Sequence, residues 1–157
     1  MSMDIEVRSI RQADLPHLLR LCRRHAEYEA AIWFENNQIE RWSEALFSTS
    51  PDLFGWVAEA NGRVCGFMTV TVDYATWNAA HFSHMDCLYI EDEYRGYGIG
   101  RRFFDCLDAF CRERNIGHVQ WQTPPDNQLG IGFYQRMGAT NKPKLRFFHT
   151  VSPREEA

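Results

Sequence analysis

The chain has 157 residues, 45% apolar and 24% charged, with a formal net charge of −4; this is typical of one folded domain over 1–157 and excludes a disordered or fibrous chain. No run of Lys and Arg exceeds a pair and no apolar stretch approaches the roughly 18 residues of a membrane span, so we expect no nucleic-acid or membrane partner. The five cysteines include no pair at zinc-finger spacing, which predicts reduced thiols, a cytoplasmic location and no metal site.

The first fifty residues predict one strand and two helices. Residues 4–10 alternate in polarity, which is typical of a half-buried strand, and residues 12–14 look like a helix start. Apolar side chains then recur at helical spacing over 15–26. A second helix is expected over 38–47, and Pro51 stops it.

An antiparallel hairpin follows these helices. Two runs rich in β-forming residues, 54–59 and 64–73, flank the dipeptide Asn61-Gly62, which is the strongest short hairpin signal in the chain. Residues 82–90 predict the next strand.

The second half of the chain alternates between helices and strands. The expected elements are a helix over 99–114, a strand over 119–123, a short helix over 129–137 and a closing strand over 144–151. Asn127 is the expected cap of the short helix, and Gly138 suits the left-handed position after it. Together the elements predict an α/β fold with one mixed sheet, antiparallel first and parallel later, and helices on both faces.

Three glycines at alternate positions mark residues 95–100, between an expected strand and an expected helix. The N–H groups at a helix start have no intrahelical partner, and glycine lets a phosphate approach the backbone closely, so this turn predicts a pyrophosphate site. A Rossmann fingerprint would need a further glycine at Arg101 or Phe103, and a P-loop would need Gly-Lys-Ser/Thr; both fail. A tight turn that merely starts the helix is the structural alternative.

Two motifs in this half resemble the hallmarks of the Gcn5-related N-acetyltransferases. The first, Arg-x-x-Gly-x-Gly after the fourth strand, is carried by Arg95, Gly98 and Gly100. The second, in the short helix after the fifth strand, is carried by Asn127, Phe133, Tyr134, Gly138 and Ala139. Segments 25–29 and 74–77 also resemble the diamine (spermidine/spermine) branch. That branch usually has Leu-Glu-Asp where this chain has Met85-Asp86-Cys87.

The resemblance implies an acyl-CoA N-acyltransferase fold in which parallel strands flank the cofactor site. It also implies acetyl-CoA as the acetyl donor, a homodimer, and a backbone N–H near Leu88 that stabilises the charge on the thioester oxygen. The residues it assigns to the cofactor are Leu88, Tyr89, Ile90, Arg95, Gly96, Tyr97, Gly98, Ile99, Gly100, Arg101, Asn127 and Tyr134. The residues it assigns to the acceptor amine are Tyr28, Glu29, Trp77 and Asp86.

Acetyl transfer to an amine needs one group that removes a proton and another that supplies one. An alkylamine with a pKa near 10.4 is neutral about once in 2,500 molecules at pH 7, a cost of roughly 4.6 kcal/mol. Asp86 is the candidate base, directly or through a water, and an ordinary strand-edge acid is the alternative. Tyr134 is the candidate acid. Phe133 and Met137 are four positions apart and can face the core together, while Tyr134 points some 100° away from them. The alternative is that Tyr134 is another aromatic residue of the core.

The remaining reactive side chains have simpler interpretations. Cys87 is expected to be a small apolar strand residue, because the sequence places no His or Asn to activate it. His25, His81 and His84 match no metal motif and are expected to be surface or structural residues.

The predicted function is an N-acetyltransferase that acts on a primary amine of a small cationic, polyamine-like acceptor by direct attack in a ternary complex. The acidic balance of the chain favours such a guest. One alternative is a protein or peptide lysine or N-terminal acetyltransferase, which needs an open groove. The other is a non-catalytic module that binds acetyl-CoA.

Overall fold

A five-stranded sheet and three α-helices form the part of the chain up to Pro124 in the computed structural model, which describes residues 2–156. Residues from 125 onward form a second unit, whose described part holds one α-helix. In chain order the elements are β1 Ile5–Ser9, α1 Leu15–Tyr28, α2 Gln38–Phe47, β2 Phe54–Ala60, β3 Arg63–Ala75, β4 Ala80–Ile90, α3 Ile99–Glu113, β5 Val119–Gln120 and α4 Gln128–Arg136. Across residues 2–156, no helix combines the length and the apolar character that crossing a bilayer requires.

The sheet has the strand order β1-β2-β3-β4-β5. Its pairs are antiparallel from β1 to β4 and parallel between β4 and β5, so the predicted mixed sheet is confirmed. Asn61 and Gly62 connect β2 to β3 with φ angles of 51° and 81°. Both residue types accept the left-handed backbone that a two-residue hairpin turn needs.

Helices cover both faces of this sheet, as the sequence predicts. On one face α1 and α2 bury an apolar cluster whose members include Leu15, Leu18, Leu21, Leu46, Val57, Phe67 and Tyr89. On the other face Phe110 of α3 packs against Phe54 and Trp56 of β2, with ring centroids 4.8 and 5.5 Å apart. Strand β4 contributes to both layers, because Ser83 also contacts Cys111 of α3 at 3.2 Å.

Strand β5 is shorter than the predicted strand 119–123, and it pairs with β4 only at positions 83–84. Just beyond these positions β4 carries a bulge at Asp86, the extra residue between Met85 and Cys87, which both pair with β3. A bulge bends its strand and increases the local twist, which ends regular pairing. The bulge thus lies just beyond the point where the pairing of β4 with β5 ends.

The second unit contains the short helix that the sequence predicts. The side chain of Asn127 accepts the Gly130 N–H at 3.2 Å and so caps the start of α4. Gly138 follows the helix with a φ of 89°, the left-handed position expected for it. Both end signals of α4 are confirmed.

The predicted strand over 144–151 is wrong. The structure assigns no strand there, and the side chains of Leu145, Phe147, Phe148 and Val151 are 81–86% exposed. A strand needs a neighbouring strand for its backbone hydrogen bonds, and an alternating sequence cannot show whether one is within reach.

Candidate active site

The predicted glycine turn follows β4 and leads into α3. Gly96 and Gly98 have φ angles of 83° and 81°, and among the described residues no atom lies within 4 Å of where a Cβ would stand. Gly98 caps α3, and its carbonyl accepts the Arg102 N–H at 3.2 Å. The turn thus presents open backbone at the positive end of the helix dipole, where a pyrophosphate fits. The other residues predicted here are Tyr97 and Arg101, which are exposed, and Gly100, which is buried.

The edge of β4 beside this turn is open. Because β5 pairs only with positions 83–84, no strand within residues 2–156 covers that edge from Met85 to Ile90. Backbone groups on an open edge can hydrogen-bond the amides of an extended ligand. Leu88 is half-buried, whereas the side chains of Tyr89 and Ile99 are buried. For the predicted cofactor contacts, burial therefore leaves only the backbone groups of Tyr89 and Ile99 available.

The Arg95 side chain folds back toward α1. Its Nε donates to the Ile90 carbonyl at 2.9 Å, and its guanidinium lies 2.6 Å from the Asp92 carboxylate. The guanidinium carbon also lies 5.0 Å from the ring centroid of Tyr28 and 5.8 Å from that of Tyr89, which are cation–π distances. Arg95 therefore ties the end of α1 to the glycine turn, a role that the sequence motif does not reveal.

Two acidic residues predicted to bind the amine meet around His25 on the α1 side of the sheet. The His25 Nε2 atom lies 2.8 Å from Glu29 Oε2, and the imidazole stacks on Tyr89 with centroids 5.3 Å apart. The charge of Asp86 acts to raise the pKa of both His25 and Cys22, two residues of α1. The bulge at Asp86 interrupts the regular alternation of side chains along β4.

Burial governs the titration of these groups. It lowers the pKa of His25, against the opposing charges of Glu29 and Asp86, and the imidazole is therefore neutral at pH 7. Burial, together with the nearby Asp86 charge, raises the pKa of the Cys87 thiol well above its ordinary range and raises that of Cys22 to about 12. Both thiols stay protonated, which agrees with Cys87 as a packing residue rather than a nucleophile.

Trp77 stands apart from the other residues predicted to bind the acceptor. It lies at the tip of the β3–β4 hairpin with its side chain fully exposed. The stretch of β4 that leads from this tip to Asp86 is about 20 Å long at the usual rise of an extended strand. Within one chain, the structure does not bring Trp77 to Tyr28, Glu29 and Asp86.

Two predicted residues, Asn127 and Tyr134, lie in the second unit. Asn127 holds the first turn of α4, as described above. Tyr134 is half-buried, with its ring centroid 5.7 Å from that of Phe133. The backbone carbonyl of Tyr134 accepts the Ala139 N–H at 3.0 Å, which closes the end of the helix.

Glu91, the residue between β4 and the turn, is a structural residue that no motif in the sequence predicts. Its carboxylate is fully buried and contacts Arg20 at 2.9 Å, Arg63 at 3.2 Å and Arg24, while its N–H donates to the Cys65 carbonyl at 2.9 Å. Burial raises the pKa of Glu91, but hydrogen bonds from Arg63 and Arg20 outweigh it and hold the pKa below its ordinary value. The only signal in the sequence was an acid at the end of an apolar strand, because its partners lie on distant segments.

Open backbone at a helix start, beside a strand edge that no other strand of residues 2–156 covers, suits a ligand that joins a pyrophosphate to an extended chain with amide groups, as acyl-CoA does. The profile of the acetyltransferase (GNAT) family matches residues 13–139, and the chain belongs to this family. It is an acetyl-CoA-dependent N-acetyltransferase, as the two motifs predict. The open space beside Gly96 and Gly98 fits the pyrophosphate of acetyl-CoA. The edge of β4 that no strand of residues 2–156 covers fits its extended chain.

Comparisons with other proteins agree with this family assignment. The chain is similar to thialysine N-epsilon-acetyltransferases of Bos taurus and Sus scrofa, 26% identical to each; the matches cover 92% and 96% of this chain and 89% and 93% of those proteins. Among solved structures, the aminoglycoside N-acetyltransferase AAC(6')-Iy in complex with CoA has a TM-score of 0.79 at 14% identity, covering 96% of this chain and 97% of that one. An aminoglycoside acetyltransferase from an uncultured soil metagenomic sample, in complex with sisomicin, has a TM-score of 0.78 at 16% identity, covering 94% and 97%.

Proposed function

We propose that this enzyme transfers an acetyl group from acetyl-CoA to a primary amine of a small cationic acceptor, by direct attack within a ternary complex. The observation that carries the proposal is the pair of carboxylates, Glu29 and Asp86, that act on the same imidazole next to the strand segment and turn assigned to the cofactor. Two acidic side chains attract a guest with more than one positive charge.

The acceptor arrives as an ammonium ion and must lose a proton before it attacks. Asp86 stands on the bulge of β4, where it can hold the ammonium group and remove its proton directly or through a water. Tyr28 is 42% exposed at the end of α1 and offers a ring face to the alkyl part or the charge of the guest. Trp77 stays a predicted contact of the acceptor.

Acetyl-CoA supplies the thioester whose carbonyl carbon the amine attacks. The open edge of β4 around Leu88 supports a backbone N–H as the group that stabilises negative charge on the thioester oxygen. Tyr134 is proposed to give the departing thiolate a proton or a hydrogen bond. Because a tyrosine pKa near 10 exceeds a thiol pKa near 8.5, full transfer runs uphill by roughly 2 kcal/mol unless the site lowers it.

Relatives define the first acceptors to test. The curated relatives are named for the ε-amine of thialysine, an amino-acid-like primary amine, and two solved neighbours are named for aminoglycosides, which are amino sugars. A polyamine fits the two carboxylates, and thialysine and aminoglycosides carry amines of the same reactivity. All three are small cationic amines, which supports the substrate class.

The substrate class is tested with a panel of amines while acetyl-CoA consumption is followed. We expect turnover of small diamines or thialysine, with a kcat/KM that falls as ionic strength rises because salt screens the two carboxylates. Glu29→Gln should weaken this salt dependence for a diamine more than for a monoamine of similar length. Glu27→Gln, an exposed change on the same helix, is the matched control.

Equal salt dependence for diamines and monoamines would contradict the polyamine preference. Brisk acetylation of a peptide lysine or N-terminus, with no small amine turned over, would favour the protein-modifying alternative. Binding of acetyl-CoA without turnover of any amine would favour the non-catalytic module.

We also propose that the two units work as one domain and that the protein is a cytoplasmic homodimer. The family match runs across the boundary at residue 124, which supports one domain. Segment 144–151 exposes several large apolar side chains, and their burial against a second copy of the chain supports the dimer. A monomeric mass in sedimentation equilibrium would contradict the dimer.

A further inference from the structure

His25 has the surroundings of a proton acceptor rather than those of a solvated surface residue. Its side chain is only 17% exposed, stacks on Tyr89 and meets the edge of Phe67 with centroids 6.0 Å apart. These contacts fix the plane of the ring. Tyr89 belongs to the strand segment assigned to the cofactor, so the ring lies against the strand that borders the site.

Glu29 orients the imidazole. A carboxylate accepts hydrogen bonds, so the neutral ring donates its Nε2–H to Glu29 Oε2 across 2.8 Å. The Nδ1 atom then carries the lone pair that can receive a proton. A base held in one tautomer by a carboxylate is the arrangement that proton-abstracting histidines use.

We propose that His25 is the terminal proton acceptor for the acceptor amine, with Glu29 as the residue that positions its ring and Asp86 as the residue that holds the ammonium group. The inference rests on the proposed function and adds a catalytic residue to it. The charges of Glu29 and Asp86 stabilise the imidazolium that forms when His25 takes up the proton.

The proton balance is complete without a further reagent. The acceptor ammonium gives one proton, directly or through Asp86 or a water, to His25 Nδ1, and the neutral amine then attacks the thioester. The bond between carbonyl carbon and sulfur breaks as the C–N bond forms. The second amine proton ends on the departing thiolate, and the imidazolium returns its proton to solvent.

The charged and titratable groups around His25 set the pH at which it works. Glu29 acts on it from α1, Asp86 and Tyr89 from β4, and Arg95 from the turn. Burial and the Arg95 charge favour the neutral ring, whereas the two carboxylates favour the cation. The net pKa lies below the ordinary imidazole value of about 6.5, so the ring is a base throughout the neutral range.

The test is the pH profile of kcat for the best amine of the panel, in the wild type, His25→Gln, Glu29→Gln and His17→Gln. We expect an acid limb below about pH 6.5 in the wild type and its loss in H25Q, with kcat lower by about 10²-fold and the KM for acetyl-CoA within twofold. In E29Q the limb should move to lower pH, because the charge that raises the His25 pKa is gone. H17Q, an exposed change on the same helix, should leave the profile unchanged.

Each outcome decides a separate question. An H25Q enzyme that keeps the acid limb, with kcat within about threefold of wild type, overturns the role of His25 and leaves acetyl transfer intact. If H25Q does not fold, the E29Q profile decides: an acid limb at the same pH as in the wild type overturns the role of His25. A wild-type enzyme that acetylates no small amine contradicts the proposed function, and with it this inference.

Discussion

Tyr134 is the residue whose single hydroxyl group the proposed reaction needs most directly. Its position on α4 is set by the Asn127 cap and the Gly138 end, both confirmed by the structure. Its role as a proton or hydrogen-bond donor remains a proposal. The hydroxyl matters only as the thiolate leaves, so its loss should affect the transition state more than the ground state.

Tyr134→Phe should therefore lower kcat by about 10²-fold or more while leaving the Kd of acetyl-CoA nearly unchanged. Steady-state kinetics and calorimetric titration with CoA measure the two quantities. Tyr94→Phe, which removes a hydroxyl from a half-buried residue outside the assigned site, is the comparison variant. Equal kcat in Tyr134→Phe and wild type would leave Tyr134 as a packing residue.

The element proposed to hold the pyrophosphate of the cofactor is the turn between β4 and α3. Gly98 combines a left-handed φ of 81° with open space on the side where a Cβ would stand. A β-branched residue there would be strained and would also occupy the space through which a phosphate approaches the backbone. The turn is thus built for close approach as well as for starting a helix.

Gly98→Val should weaken CoA binding by tenfold or more, an order-of-magnitude expectation for obstructed helix-start contacts. The readout is the thermal shift, because a ligand bound only to the folded state adds about 2.7 kcal/mol at a hundredfold excess over Kd. Gly117→Val, at an open position remote from the turn, controls for loss of a glycine. An unchanged CoA shift in Gly98→Val would reduce the turn to a structural one.

At the scale of the whole molecule, the buried carboxylate of Glu91 joins three segments of chain. Arg20 and Arg24 come from α1 and Arg63 from the start of β3, and all three contact Glu91 at the end of β4. Removing one partner of a buried ion pair costs about 3–5 kcal/mol, and the half-exposed arginine ends reduce that figure here. This cluster holds α1, and therefore Tyr28 and His25, against the sheet.

Glu91→Gln should lower the free energy of unfolding by roughly 2–4 kcal/mol near pH 7. The folded-state pKa of Glu91 is depressed, so its contribution is present above the unfolded value of about 4.3 and is lost as pH falls through the folded value. Urea unfolding of wild type and variant should therefore converge in acid. Glu93→Gln, a change at an exposed residue, is the control and should have a small, pH-independent effect on the free energy of unfolding. If the free energies of unfolding of wild type and Glu91→Gln differ by a constant amount down to pH 3, this role of Glu91 is contradicted.

Local signals in the sequence determined most of the elements and the conformation of the glycine turn. Periodicity, the Asn61-Gly62 pair, the Asn127 cap and the alternate glycines each act over a few residues, so they predict structure without knowledge of the rest of the fold. The family motifs at Arg95 to Gly100 and Asn127 to Ala139 extend that local information to acetyl transfer. These predictions are confirmed at the level of fold, family and donor.

Only the tertiary structure decided what depends on contacts between distant segments. The bulge at Asp86 arises from pairing with β3, the early end of β5 leaves β4 open, and segment 144–151 is no strand because a partner strand is required. The proximity of His25 to Asp86, and that of Glu91 to its arginines, likewise joins residues far apart in the chain. Pairing and burial are properties of the folded chain as a whole, which is why the glycine turn could be predicted from the sequence and the surroundings of His25, Asp86 and Glu91 could not.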